Sequence, residues 1–262
     1  MAIVSTIPPA AIEGPDKGAV RRAMERLYLR AVFKLRPSAV RSLYGPKLRA
    51  NYADATFGFY VRADYGHFLS ELIRAIRQPF VFLDIGANQG LYSLLAAGNP
   101  CCVSAWAFEP VQATYDLLTA NIRLNGHEGR ITPIRAAISD IDGERHIHIN
   151  RGHTGVASLE HSVGDDASET IRCMSAGAVD VTLTVDAGLP ILVKIDTEGH
   201  EPTVIATLRE TRLWRNVQAL FFEVDTRWYD GEQVIRQVVE DGFVESYRTA
   251  VSHHFDVLLQ RP

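Results

Sequence analysis

The segment Phe80-Val81-Phe82-Leu83-Asp84-Ile85-Gly86-Ala87-Asn88-Gln89-Gly90-Leu91-Tyr92-Ser93 constrains the fold of this chain more than any other. Val81, Phe82, Leu83 and Ile85 supply the β-branched and aromatic enrichment of a strand buried on both faces. Gly86 and Gly90 then let the backbone turn tightly before a helix begins. Such a turn brings backbone amides close to a ligand, and the helix N-terminus suits an anionic group. Dinucleotide-binding turns space their glycines as G-x-G-x-x-G, but Asn88 and Leu91 stand at the second and third of those places. The turn is out of register for a nicotinamide cofactor.

A length of 262 residues fits one large α/β domain with chain left over for an N-terminal addition. Apolar residues at 47% and charged residues at 22% are ordinary globular values. Cys101, Cys102 and Cys173 neither form a disulfide framework nor show metal-ligand spacing, so a reducing compartment is the simplest reading. The longest apolar stretch, Leu91 to Phe108, is broken by Gly98-Asn99-Pro100, and Met1-Ala2-Ile3-Val4 lacks the basic region and apolar core of a signal peptide. The expectation is a soluble cytoplasmic protein. Charge is uneven: residues 1–80 hold 13 Lys and Arg against 6 Asp and Glu, and residues 81–262 hold 14 against 25. The acidic larger part, with no basic patch interleaved with aromatics, argues against nucleic-acid binding.

From Gly18, Val20, Met24, Leu27, Ala31 and Leu35 recur at helical steps beside a row of Arg22, Arg26, Arg30 and Lys34, and Pro37 ends the helix. The row reads as a solvated face or as a face for an anionic partner, such as a phosphate-bearing substrate or a membrane surface. Residues 47–63, with aromatics around Gly58, suggest a short hairpin, and His67–Arg77 a helix. Strands are expected at Val103–Glu109, Ile131–Ile138, Ile191–Asp196 and Ala219–Val224, alternating with helices at Gln112–Asn125, Val204–Leu208 and Glu232–Glu240. Arg145–Ile149 is strand-like and breaks the alternation, and residues 150–170 read as a loop or flap. The closing strands Phe243–Tyr247 and Phe255–Leu259 are too close for a crossover and must be antiparallel.

Two further constellations carry chemistry. Glu109, 19 residues past Gly90 at the end of Ala105-Trp106-Ala107-Phe108-Glu109-Pro110, stands where an acid commonly accepts from both ribose hydroxyls of an adenosine cofactor. Val193-Lys194-Ile195-Asp196-Thr197-Glu198-Gly199-His200-Glu201 puts a lysine in a central strand, where it is costly without a partner such as Asp196, Glu198 or Glu223. Asp196 then lies at the strand's carboxyl end, in the crevice where such sheets bind ligands.

The wording D-I-G-A-N-x-G-x-Y-S, followed by F-E-P and K-I-D-x-E-G-x-E, resembles the FkbM family of class I S-adenosylmethionine methyltransferases across roughly residues 66 to 249. The resemblance implies a doubly wound, Rossmann-like α/β fold with a seven-stranded sheet, mostly parallel with the last strand antiparallel. To this it adds an N-terminal helical extension and short hairpin at 1–65, leaving 66–262 as the methyltransferase domain. It implies S-adenosylmethionine as cofactor, held by Asp84, Gly86, Ala87, Asn88, Gly90, Tyr92, Glu109 and Pro110, with Ala137 and Ser139 near the adenine. Asp84 would meet the cofactor's ammonium directly or through water. Gln89 stands where the family often has a small or β-branched residue, which would bring its side chain against the cofactor.

Transfer to an alcohol needs a base, for which Asp196 is the first choice, with His200, Glu198 and His153 behind it. The resemblance implies that His153 and Ser158, in G-x-x-G-x-x-S-L, fall on the acceptor side, with Glu223 at a strand end of the same crevice, and that the acceptor is a hydroxyl of a sugar, glycolipid or natural product. Asp196, Glu198, Glu201 and Glu223 could furnish an oxygen-rich cation site, but spacing assigns no metal. A nicotinamide oxidoreductase and a non-catalytic cofactor-binding module are the rivals.

Overall fold

The computed structural model describes residues 3, 12, 18–150, 152–161, 167–186, 188–249 and 252–262. Met1, Ala2 and Val4, on which the signal-peptide reading partly rests, lie outside them, as do residues 151 and 162–166 of the expected flap. The chain opens with helix α1 (Ala19–Leu35), strands β1 (Ala39–Arg41) and β2 (Lys47–Arg49), and helices α2 (Ala55–Arg62) and α3 (His67–Ala75). Strand and helix then alternate as β3 (Phe80–Ile85), α4 (Leu91–Gly98), β4 (Cys102–Phe108), α5 (Gln112–Asn125) and β5 (Ile131–Ile134). An insertion follows, made of β6 (Ala137–Ile138), β7 (Gly143–Ile149), β8 (Ala167–Met174) and helix α6 (Ala176–Thr182). The alternation resumes with β9 (Ile191–Ile195), α7 (Glu201–Arg209), β10 (Val217–Asp225) and α8 (Gly231–Glu240), and closes with β11 (Val244–Arg248) and β12 (His254–Gln260).

Seven strands form one sheet in the order β11-β12-β10-β9-β3-β4-β5. β12 runs antiparallel to both β10 and β11, and the remaining pairs are parallel. The expected sheet is present, with its reversed strand lying between β10 and β11. Alternation along β3 sends Phe80 and Phe82 to one apolar layer, with Leu72, Leu91 and Leu118, and Val81, Leu83 and Ile85 to the other, with Val204, Ile205 and Val238. Each fully buried Phe or Leu contributes roughly 1.5–3 kcal/mol, so both faces of β3 anchor the fold. The chain winds from β3 towards β5 in one direction and from β9 towards β10 in the other. The ligand crevice of such a sheet opens at this switch, beyond the carboxyl ends of β3 and β9.

Three expectations need correction. The hairpin lies at β1 and β2, so only Lys47–Arg49 of residues 47–63 belongs to it, whereas Ala55–Arg62 folds as α2, whose N-cap Asp54 accepts from the Phe57 amide at 3.1 Å. Phe57, Tyr60 and Val61, all buried, are spaced three and four apart, a helical face. The expected strand Ile131–Ile138 is two: the Ala136 amide turns back to the Ile134 carbonyl, and β6 joins β7 and β8 in a separate sheet. The end of the expected flap is β8, which pairs antiparallel with β7.

Candidate active site

Backbone geometry at the end of β3 sets the site. Gly86 has φ +72°, and a Cβ there would lie 1.9 Å from the Asp196 carbonyl oxygen. Only glycine lets the turn after β3 lie against the turn after β9. Gly90, at φ +86°, begins α4, and a Cβ on it would meet Leu118 Cδ1 at 2.4 Å. Asn88 adopts φ +50°, a conformation asparagine tolerates better than most residues.

Asp84 is fully buried and turned inward: Oδ2 accepts from the Ser93 amide at 3.0 Å and from its hydroxyl at 2.6 Å. It ties β3 to the first turn of α4 and lies outside the cavity lining, so a direct contact with a cofactor ammonium is not the one its position offers. Lys194 is the group this acid serves. Its ammonium lies 3.5 Å from Asp84 and 3.5 Å from Asp196, and donates to the Gly86 carbonyl at 2.5 Å. Burial alone would pull its pKa down, but Asp196, Asp84 and Glu223 outweigh burial and raise it. Lys194 is therefore a buried cation that couples the two turns.

The cavity, about 390 Å³, is lined by Gly86, Asn88, Glu109, Pro110, Ala137 and the loop after β9. It falls within the roughly 300–1,000 Å³ of small-molecule sites. Glu109 accepts from the Asn88 amide at 2.9 Å and the Val111 amide at 3.0 Å, while burial pushes its carboxyl up to about 7 against those bonds. Each carboxylate oxygen keeps a second acceptor position, which a ribose diol can fill. Ala87, Gly90 and Tyr92 shape the turn from behind and do not line the cavity. Gln89 also points away from it, donating to Asp54, which corrects the expectation of a cofactor contact.

At the other end Asp196, Glu198 and Glu223 present carboxylate oxygens within 4.8 Å of one another. Burial raises the pKa of Asp196 to about 6, opposed by Lys194 and helped by Glu223. Glu198, at φ +54° in a region that strains most side chains, is raised further by burial and by Asp196, Glu223 and Glu201. Glu201, the fourth acid named for a cation site, is turned into its own loop, accepting from the Thr197 and Gly199 amides. Glu223 does not pair with Lys194 as one reading proposed; its Oε1 lies 2.5 Å from His254 Nε2 and accepts from the Tyr65 hydroxyl at 3.3 Å. That bond lifts His254 to about 9 against the cost of burial. His254 and Tyr65 both line the cavity, and sequence spacing marked neither.

Residues 152–161 form a strap across the cavity, to which His153, Thr154, Val156 and Leu159 contribute lining. Thr154 donates to Asp54 through its amide at 2.8 Å and its hydroxyl at 3.1 Å, and Ser158 donates to the Glu198 carbonyl at 2.6 Å. Ser158 therefore fixes the loop instead of facing an acceptor. His200 is 3% exposed, with Nδ1 2.7 Å from Glu160 and Nε2 3.2 Å from the Ser139 hydroxyl. Burial lowers its pKa against the pull of Glu160. With both ring nitrogens engaged, His200 lines the cavity but fastens the strap, a clasp where the sequence suggests a base, and Ser139 holds it from behind without lining the cavity. His153 lines the cavity beside Phe59. Asp54 is buried and joins α2, the donor turn through Gln89 and the strap through Thr154. Asp54→Ala is expected to lower unfolding free energy by about 3 kcal/mol in urea titration, by losing a helix cap and stranding buried donors. A loss below about 1 kcal/mol would remove Asp54 from this role.

The chain matches the FkbM methyltransferase domain over residues 84–258. No curated protein matches it. Among solved structures it is similar to M. capricolum TrmK in complex with S-adenosyl-homocysteine, with TM-score 0.48, 11% identity and coverage of 75% of this chain and 69% of that one. Methanocaldococcus jannaschii Trm5 in complex with adenosine is similar at TM-score 0.44 and 10% identity, over 83% of this chain and 54% of that one. The family match spans the donor turn, Glu109 and the Lys194–Glu201 loop that meet in the cavity. The chain belongs to the FkbM methyltransferases and draws its methyl group from S-adenosylmethionine.

Proposed function

We propose that the chain methylates a hydroxyl oxygen of a sugar, glycolipid or natural-product acceptor, with Asp196 taking the proton or orienting the hydroxyl. The observation that carries this reading is the meeting of Asp196, Glu198 and Glu223 on one wall of the cavity, next to the turn at Gly86. S-adenosylmethionine, when bound, supplies a methyl group on a sulfonium whose sulfur leaves as a neutral thioether. An alcohol oxygen sheds its proton as it attacks, and a carboxylate within hydrogen-bond reach receives it. Lys194 keeps Asp196 in place, and Glu223, held by His254 and Tyr65, supports alignment of the acceptor. Gly86, Asn88, Glu109, Pro110 and Ala137 would hold the donor.

An RNA acceptor is disfavoured because its phosphates would approach Asp196, Glu198, Glu223 and Asp225 at the cavity wall. Residues 1–65 fit an addition to a 66–262 methyltransferase unit that helps complete the site, since Thr56, Phe59, Tyr60 and Tyr65 line the cavity. Free Cys101, Cys102 and Cys173 suit the reducing cytoplasm.

Thermal denaturation separates the rivals. S-adenosylhomocysteine at a hundredfold its Kd is expected to add about 2.7 kcal/mol of stability, and NAD none. The reverse pattern would select an oxidoreductase. With alcohol acceptors, S-adenosylhomocysteine release and a methyl ether are expected; donor binding without transfer to any acceptor would leave a binding module.

A further inference from the structure

Helix α1 is attached to the body by one face. Tyr28, Leu29 and Val32 pack against the core, and the Tyr28 hydroxyl donates to the Arg41 carbonyl at 2.6 Å. The apolar stripe read from the sequence is a different face: Val20, Met24, Leu27 and Leu35 are 68 to 75% exposed. At 3.6 residues per turn, Arg22, Arg26, Arg30 and Lys34 run as an exposed row along one side of that stripe. A helix that merely faced water would carry polar residues there. Stripe and row together are the pattern of an interfacial helix.

We infer that α1 docks this protein on an anionic lipid surface, with Val20, Met24, Leu27 and Leu35 entering the headgroup boundary and the basic row meeting lipid phosphates. Charge complementarity selects this occupant. Residues 1–80 carry 13 basic against 6 acidic side chains, while the remainder is acidic, so an anionic surface orients the molecule with α1 towards it. A second copy fits less well, because antiparallel two-fold pairing of the stripes brings two basic rows together. A free phosphate would leave the apolar stripe in water.

Near the C-terminal end of α1, exposed Phe33 and Phe59 flank Arg62, whose guanidinium carbon lies 5.6 Å and 5.7 Å from their ring centres. At 3.6 residues per turn Phe33 lies roughly 160° round α1 from the apolar stripe, so the side of the helix that meets Phe59 at the cavity rim is not the docking face. The docking does not rest on the proposed methyl transfer.

The test is sedimentation of the full chain with phosphatidylcholine vesicles, with and without phosphatidylglycerol, in the absence of donor and acceptor. Binding is expected to be at least about tenfold stronger with the anionic lipid and to weaken with salt. Met24→Glu with Leu27→Glu, and separately Arg26→Ala with Arg30→Ala, are each expected to lower vesicle affinity about tenfold or more. All four positions are exposed, so the thermal shift with S-adenosylhomocysteine should not move. Failure to bind phosphatidylglycerol vesicles, or equal binding by the glutamate variant, would overturn the inference. So would a dimer in sedimentation velocity that the glutamate variant dissolves, since the stripe would then belong to a second copy.

Discussion

Gly86→Ala is expected to lower affinity for S-adenosylhomocysteine roughly 100-fold, at about 1.4 kcal/mol per tenfold, and to destabilise the fold. Two costs act together. The backbone sits at φ +72°, where an alanine costs roughly 1–2 kcal/mol, and its Cβ would lie 1.9 Å from the Asp196 carbonyl oxygen. That oxygen belongs to the main chain just past β9, which pairs with β3 up to Ile85 and Ile195, so it cannot retreat without opening the ladder. Overpacking of this kind adds about 1–3 kcal/mol. The displaced turn carries the Asn88 amide away from Glu109 and the Gly86 carbonyl away from Lys194. Gly126→Ala is the matching control: φ is +70°, but no atom lies within 4 Å of the added Cβ. It is expected to show only the backbone cost and unchanged binding by calorimetry. Equal binding by the two variants would mean the contact with Asp196 does not shape the donor site.

The parts of this architecture legible in the sequence are those fixed by neighbours in the chain. The apolar run into Gly86, the acid at Glu109 and the short connection between β11 and β12 each declare themselves within a few residues. The site depends instead on partners far apart. Asp54 reaches Thr154, Tyr65 reaches Glu223, and Glu160 reaches His200. A histidine in an acidic loop looks like a base until its two nitrogens are seen to be occupied, which no local pattern records. Asp84 reads as a direct cofactor ligand for the same reason: the charge beside it is Lys194, on another strand. Gly58 suggests a turn in α2, although Asp54 caps a helix whose buried face is Phe57, Tyr60 and Val61. β8 is hidden in the sequence because its apolar residues, Ile171, Cys173 and Met174, gather at one end, leaving a polar start that reads as loop.

Asp196→Asn is expected to lower kcat roughly 10²- to 10⁴-fold while leaving the thermal shift with S-adenosylhomocysteine in place. The prediction follows from how the three clustered carboxylates divide the protons. Glu198 is raised furthest by burial and by its acidic neighbours, so it holds a proton at neutral pH. Glu223 is bound to His254, itself raised to about 9 and therefore cationic. Asp196, raised to about 6 by burial against the opposing charge of Lys194, is the acid that is ionised at neutral pH yet close enough in basicity to accept a hydroxyl proton. A base works only unprotonated, so wild-type kcat should fall as pH drops through about 6 and level off above it. Asparagine keeps the shape of the side chain and leaves Lys194 its contact with Asp84 at 3.5 Å, so the fold should survive. The residual activity of the variant should lose the limb near pH 6. A variant that kept both the limb and the rate would move the proton acceptor away from Asp196, whereas loss of the thermal shift would make Asp196 part of the donor site instead.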